Sequence, residues 1–218
     1  MSHYHPPENT GLDLVFKDDS ILVVNKPAGL LSVPGRGDDK KDCMVSRVQQ
    51  EYPQALTVHR LDMETSGLLL LARNQSMHRD LGRLFQERRI RKIYTAITDG
   101  IVKQTEGTIN LPLIGDWPNR PRQKTDREKG KPSETLFKVL SHDHENNTTR
   151  LELQPITGRS HQLRVHLLEN RHPILGDNLY AGKSVREKAD RLLLHATCLE
   201  FIHPFTKQNL LLECKAPF

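Results

Sequence analysis

Five apolar residues in a row, Leu68-Leu69-Leu70-Leu71-Ala72, follow directly on the polar segment His59-Arg60-Leu61-Asp62-Met63-Glu64-Thr65-Ser66-Gly67. So short and uniform an apolar run fits a strand buried on both faces. A polar, irregular segment rooted on such a strand is a reactive loop on a rigid support. Asp62 is then either a nucleophile or base, or an acid that only makes a turn or caps an element.

With 218 residues, 36% of them hydrophobic, the chain can bury a core as one large domain or two merged subdomains. No apolar stretch approaches membrane-spanning length, and the N-terminus lacks the cationic start and apolar centre of a signal peptide. Residues 1–11 are expected to be a flexible tail and 12–218 the folded domain. Cys43, Cys198 and Cys214 are far apart and show no C-x-x-C spacing. That spacing favours a reducing, cytoplasmic compartment over a disulfide framework or a zinc site. The histidines form no H-E-x-x-H pair, so no metal is expected.

Charge is unevenly spread. Arg79–Lys131 holds 13 Lys and Arg against 7 Asp and Glu, so this stretch carries more than the whole net charge of +5. A concentrated basic stretch fits a polyanion such as nucleic acid, or simply a solvated helix face and charged loop.

Leu12–Phe16 and Ile21–Asn25 read as a strand hairpin, followed by turns at Lys26-Pro27-Ala28-Gly29 and Val33-Pro34-Gly35. Asp42 is the expected cap of a helix over Cys43–Tyr52. Asn74–Arg89 repeats apolar residues at helical spacing, which places Arg88, Arg89, Arg91 and Lys92 around its C-terminal end, facing the negative pole of the helix dipole or a phosphate. Arg91–Thr98 alternates as a half-buried strand, with Lys92 and Tyr94 on one face. After an expected strand over Gly107–Ile114, the segment Gly115–Pro132 is long, basic and rich in Pro and Gly. It contains six Lys or Arg and the only Trp, Trp117. Such a loop is either a nucleic-acid contact or a mobile surface feature.

Glu134–Leu140 and Thr149–Leu153 are expected to pair, and Thr157 or Ser160 to cap a helix bearing Arg159 at its start and Arg164 on its side. An arginine in so apolar a helix needs a carboxylate if buried, and Asp62 is the candidate. Arg191–Ala196, Thr197–Ile202 and Leu210–Lys215 read as closing strands. Strands outnumber helices and do not alternate βαβ, so the expected class is α+β, with a mixed, largely antiparallel sheet.

The segments His59-Arg-Leu-Asp-x-x-Thr-Ser-Gly67, Gly158-Arg-Ser-His-Gln-Leu-Arg-Val-His166, Lys92-x-Tyr94, Asn25-Lys-Pro-x-Gly29 and Leu192-Leu-Leu-His-Ala196 occur in this order. Together they resemble the RluA family of pseudouridine synthases over nearly the whole chain. The resemblance implies the pseudouridine synthase catalytic fold and isomerisation of a uridine within RNA, with no cofactor. Asp62 matches the family's catalytic acid, and whether it attacks C1′, adds to C6 or assists a glycal is left open. Tyr94 matches the aromatic that stacks on uracil and acts as base, and Arg164 the arginine that pairs with and orients the acid. Arg60 matches the residue that fills the space left by the flipped nucleotide; a phosphate contact alone is the alternative.

Few residues precede the first expected strand, so no separate S4 domain is expected and the catalytic domain itself must recognise RNA. Leu111–Gln123 is similar to the loop of the compact branch that modifies the tRNA anticodon stem-loop and a 23S rRNA stem-loop. The expected RNA contacts are His59, Arg60, Arg88, Arg89, Lys92, Trp117, Arg120, Arg122, Lys124 and Arg159, on a monomer with no membrane partner. Alternatives are an rRNA-only synthase, a non-catalytic RNA-binding protein and an RNA glycosidase. The last would leave free uracil and an abasic site.

Overall fold

The computed structural model of the chain describes residues 4–218. Its elements begin with β1 (Leu14–Lys17), β2 (Ile21–Lys26), α1 (Met44–Glu51), β3 (Leu56–Thr57), β4 (Ser66–Ala72), α2 (Gln75–Gln86) and β5 (Arg91–Asp99). They continue with β6 (Glu106–Asn110), β7 (Leu113–Gly115), β8 (Gln123–Thr125), β9 (Glu134–Asp143), β10 (Thr148–Pro155) and α3 (Gln162–Glu169). The last are α4 (Lys183–Arg186), β11 (Leu194–Ile202) and β12 (Asn209–Glu213). The architecture is α+β with mainly antiparallel strand pairs, as the run of unalternated strands implies. Two compact units divide the chain: residues up to Lys92 with His195–Pro217, and Ile93–Leu194 with Phe218.

The first unit is built on β4, whose residues are all buried. β2 and β3 pair with it antiparallel and β11 parallel, with β1 outside β2 and β12 outside β11. Gly67 is required where β4 meets β11: its φ is +109°, and a Cβ there would collide with the carbonyl of Ala196. α2 lays Met77, Leu81 and Leu84 on Leu68 and Leu70 of the strand, the stripe that its periodicity implies.

Two helix ends differ from expectation. Cys43, not Asp42, occupies the N-cap of α1, because the Asp42 carboxylate is taken by the Arg47 guanidinium at 2.8 Å on both of its oxygens. α2 is capped by Asn74, whose side chain accepts from the amide of Met77, but it stops at Gln86. Arg88 turns the chain with φ of 58°, so Arg88, Arg89, Arg91 and Lys92 lie beyond the helix rather than in its last turn. Residues 4–11 carry no helix or strand, yet they are tied down. Tyr4 donates to the carbonyl of Asp42 and accepts from the amide of Leu31, while Arg47 donates to the carbonyls of Pro7 and Glu8.

In the second unit β5, β10, β9 and β6 form an antiparallel array in that order, and β7 pairs with β8. Leu163 and Leu167 of α3 pack into a core with Ala96, Phe137, Leu151 and Leu153. The strand expected over Gly107–Ile114 is broken into β6 and β7, and the long basic loop that follows contains β8, so much of it is a hairpin. α3 begins later than expected. His161 stands at its N-cap in the left-handed region, and no side chain caps it. The reason is Gln162, whose side-chain oxygen accepts from the Thr157 hydroxyl and the Arg159 amide and so holds residues 157–161 as a loop. The two strands expected between Arg191 and Ile202 are one, β11.

Candidate active site and RNA-contact residues

The segment carrying Asp62 is fixed residue by residue to buried supports in the first unit. The Leu70 amide of β4 donates to His59 Nε2 at 2.9 Å, and the His59 ring stacks on Phe85 of α2 with centroids 4.7 Å apart. Two residues on, the Ser32 hydroxyl donates to the Leu61 carbonyl at 2.8 Å and accepts from the Leu61 amide at 3.0 Å. Beyond Asp62, Lys26 Nζ donates to the Met63 carbonyl at 3.0 Å, and to the carbonyls of Pro27 and Leu30 at 2.8 and 2.7 Å. Lys26 is completely buried at the end of β2. The three carbonyls take up donors that water would otherwise satisfy at so buried a site.

Positions 59, 61 and 63 are thus held, while Arg60 is exposed and Asp62 half-buried. Asp62 also opens a turn, its carbonyl accepting from the amide of Thr65 at 3.2 Å. The turn reading and the chemical reading of this residue are therefore compatible. Immediately after it, Ser66 Oγ lies 2.7 Å from His195 Nδ1, which ties the root of the loop to β11.

His59, half-buried, is an expected RNA contact whose ring is also engaged with the fold. Burial first, and the charge of Lys92 second, depress its pKa to about 3, which leaves the imidazole neutral with Nε2 as a hydrogen-bond acceptor. Lys92 is half-buried, and burial followed by the charge of Arg88 lowers its pKa. Arg88 and Arg89 are exposed.

Tyr94 and Arg164 belong to the second unit. Tyr94 is half-buried on β5, opposite Leu153 of β10, and packs at the edge of the core. Arg164, only 2% exposed, has a carboxylate within its own unit that the sequence reading did not name: Nε and a terminal nitrogen donate to Asp177 at 2.8 and 2.5 Å. Asp177 is equally buried and also accepts from the amides of Leu179 and Tyr180. Gly176, with φ of +71°, lets the chain pass the Arg191 carbonyl just before this acid. The signal in the sequence was an acid one helix-to-turn connection after Arg164, but nothing in residue type alone ranked it.

The basic hairpin rests on the same region. The Tyr180 hydroxyl accepts from the Gln123 amide at 2.8 Å and lies 2.7 Å from His161 Nδ1. Arg122 donates to the Leu179 carbonyl, so its guanidinium is a structural anchor as well as a charge. At the tip the Arg120 guanidinium stacks over Trp117, 3.1 Å from the ring centre, and Trp117 is 69% exposed. Lys124 and Arg159 are exposed too, Arg159 Nε donating to the Pro132 carbonyl.

Residues 20–169, which include the Asp62 and Arg164 segments, match the model of the RNA pseudouridylate synthase family. The chain belongs to that family. Among curated relatives of this RNA pseudouridylate synthase, the dual-specificity RNA pseudouridine synthase RluA of Escherichia coli K12 is 49% identical over 218 residues, 100% of this chain and 99% of that one. The protein of the same description from Vibrio parahaemolyticus is 53% identical over 207 residues, covering 94% of this chain and 83% of the relative. Among solved structures, human RNA pseudouridylate synthase domain containing 1 superposes with a TM-score of 0.82 at 30% identity, covering 98% of this chain and 87% of that one.

Among the described residues no helix is long and apolar enough to cross a membrane, and no group of three or more His, Cys, Asp or Glu is arranged to hold a metal ion.

Proposed function

We propose that the protein isomerises specific uridines to pseudouridine in both the tRNA anticodon stem-loop and a 23S rRNA stem-loop, acting in the cytoplasm as a monomer without a cofactor. The observation that carries the dual substrate is near-half identity over the full chain to relatives described as dual-specificity synthases. In the reaction the N1–C1′ bond breaks, C5 joins C1′, C5 loses its proton and N1 gains one. Atoms and charge balance without an external reactant, and no redox partner is required.

Asp62 is the catalytic carboxylate in this reading, supported by its place between two clamped neighbours in a family-matching segment. Tyr94 stacks on the uracil and takes the C5 proton. Arg164 pairs with and orients Asp62, and Asp177 holds the Arg164 side chain within its own unit. Exposed Arg60 enters the stack when the nucleotide is flipped, a step that costs about a few kcal/mol in lost stacking. Arg88, Arg89, Lys92, Arg120, Arg122, Lys124 and Arg159 meet phosphates, and Trp117 offers a face to an unstacked base.

RNA carrying tritium at uridine C5 tests this directly. The wild-type protein releases label from both an anticodon stem-loop and a 23S rRNA fragment, with pseudouridine as the product. Release from the rRNA alone would reduce the reading to a single substrate. Free uracil among the products would make the protein a glycosidase.

A further inference from the structure

We propose that Ser32 is a positioning residue for catalysis, acting through the backbone of Leu61 to set the place of Asp62; the inference rests on Asp62 being the catalytic carboxylate. A single hydroxyl here does the work of a strand partner, donating to the carbonyl and accepting from the amide of one residue. The peptide joining Leu61 to Asp62 is thereby held from the side chain of a residue far away in sequence. Both Ser32 and Leu61 are nearly closed to solvent, at 3% and 7% exposure, so water is poorly placed to substitute.

The hydroxyl is itself rigidly mounted. The Ser32 carbonyl accepts from the amide of Val45 and the Leu31 carbonyl from that of Met44, so residues 31–32 are bonded to the start of α1. On the other side of Asp62, Lys26 joins the Met63 carbonyl to that of Leu30 in the same turn. The turn after β2 therefore grips the loop on both sides of the acid, with Ser32 on the N-terminal side. Removing that grip leaves the Leu61 amide and carbonyl without this partner and lets the peptide before Asp62 shift. A displacement of about 1 Å at a reacting group is enough to cost about a hundredfold in rate. RNA affinity, set by many phosphate contacts elsewhere, has no reason to follow.

The test compares Ser32→Ala, Ser32→Thr and Ser32→Cys with wild type, using single-turnover tritium release at saturating enzyme, RNA affinity, and circular dichroism with thermal melting. Ser32→Ala is expected to be folded, to bind RNA within about twofold of wild type, and to release label about 10- to 100-fold more slowly. Ser32→Thr restores the hydroxyl and recovers the rate to within about threefold, with Ser32→Cys between the two because a thiol is a weak hydrogen-bonding group. The assignment is overturned if Ser32→Ala matches wild type, if rate and affinity fall together, or if threonine fails to rescue. It is equally overturned if Ser32→Ala does not fold while Ser32→Cys folds and turns over at the wild-type rate. No label released by the wild type would sink the reading of Asp62 and this assignment with it, whereas normal wild-type release beside any of the preceding results sinks only the role of Ser32.

Discussion

The Asp62 segment and the basic hairpin of β7 and β8 are both polar, irregular stretches in sequence, and the fold treats them oppositely. The first is fixed at alternate residues by His59, Ser32 and Lys26, all supported by buried structure. The second is anchored at its base, through Gln123 and Arg122 to Leu179 and Tyr180, and leaves Trp117 and Arg120 exposed at its tip. In the proposed reaction the Asp62 carboxylate has to be held to a fraction of an ångström, and polar hooks on the backbone at either side of it serve that end. A surface that gathers a phosphate chain works through charge over several ångströms and tolerates looser mounting.

The largest effect separating the two regions is expected from Asp62→Asn. It is isosteric and leaves every backbone hook in place, so the variant should melt with wild type and still bind RNA. Tritium release should fall by roughly 10⁴-fold or more, as loss of a chemically essential side chain does. Retained turnover would remove the distinction between a region for chemistry and a region for contact.

Asp177→Ala comes next. It strips the buried Arg164 guanidinium of this partner and frees two amides beneath the hairpin, so unfolding in denaturant should show a loss of about 3–5 kcal/mol. Limited proteolysis should then cut the hairpin sooner than the Asp62 segment. Equal susceptibility would show that the base of the hairpin does not depend on this acid.

Legibility in the sequence followed the same division. The buried strand β4, the amphipathic α2 and the α+β class could be read because apolar periodicity reports directly on which face is covered. What escaped were polar side chains whose partners lie far away in sequence. Asp42 has the residue type of a helix cap and serves Arg47 instead; Lys26 stands at the start of one expected turn and Ser32 just before the next, and only the tertiary structure brings them to Met63 and Leu61. The long basic loop hid a hairpin because β7 and β8 are only three residues each, too short for alternation to show. The His59 ring is a similar case: a half-buried imidazole accepting a strand amide leaves no trace in composition.

The third effect tests how firmly the Asp62 segment is tied. His59 has a folded pKa of about 3, well below the ordinary 6.5, so the unfolded chain binds the extra proton between these values. Stability from this group is therefore full above about pH 6.5 and is lost as pH falls toward 3, with a slope approaching about 1.4 kcal/mol per pH unit. His59→Gln, which keeps a hydrogen-bond acceptor but does not titrate, should flatten that part of the curve in denaturant titrations run from pH 7 to pH 4. An unchanged slope would mean that the ring is not the neutral acceptor of the Leu70 amide.

The smallest effect belongs to the hairpin. Arg120→Glu combined with Arg122→Glu reverses two charges, one stacked on exposed Trp117 and one bonded to the Leu179 carbonyl. RNA affinity should weaken by about tenfold at low salt, and the slope of log affinity against log salt should flatten by about 1 to 2. At saturating enzyme the single-turnover rate should stay near wild type, because none of the hooks beside Asp62 is altered. A fall in that rate with affinity intact would place the hairpin in the chemistry and erase the contrast between the two regions. Arg120→Glu alone resolves the pair: it leaves the Arg122 anchor in place, so a similar loss of affinity assigns the effect to charge at the tip rather than to a loosened base.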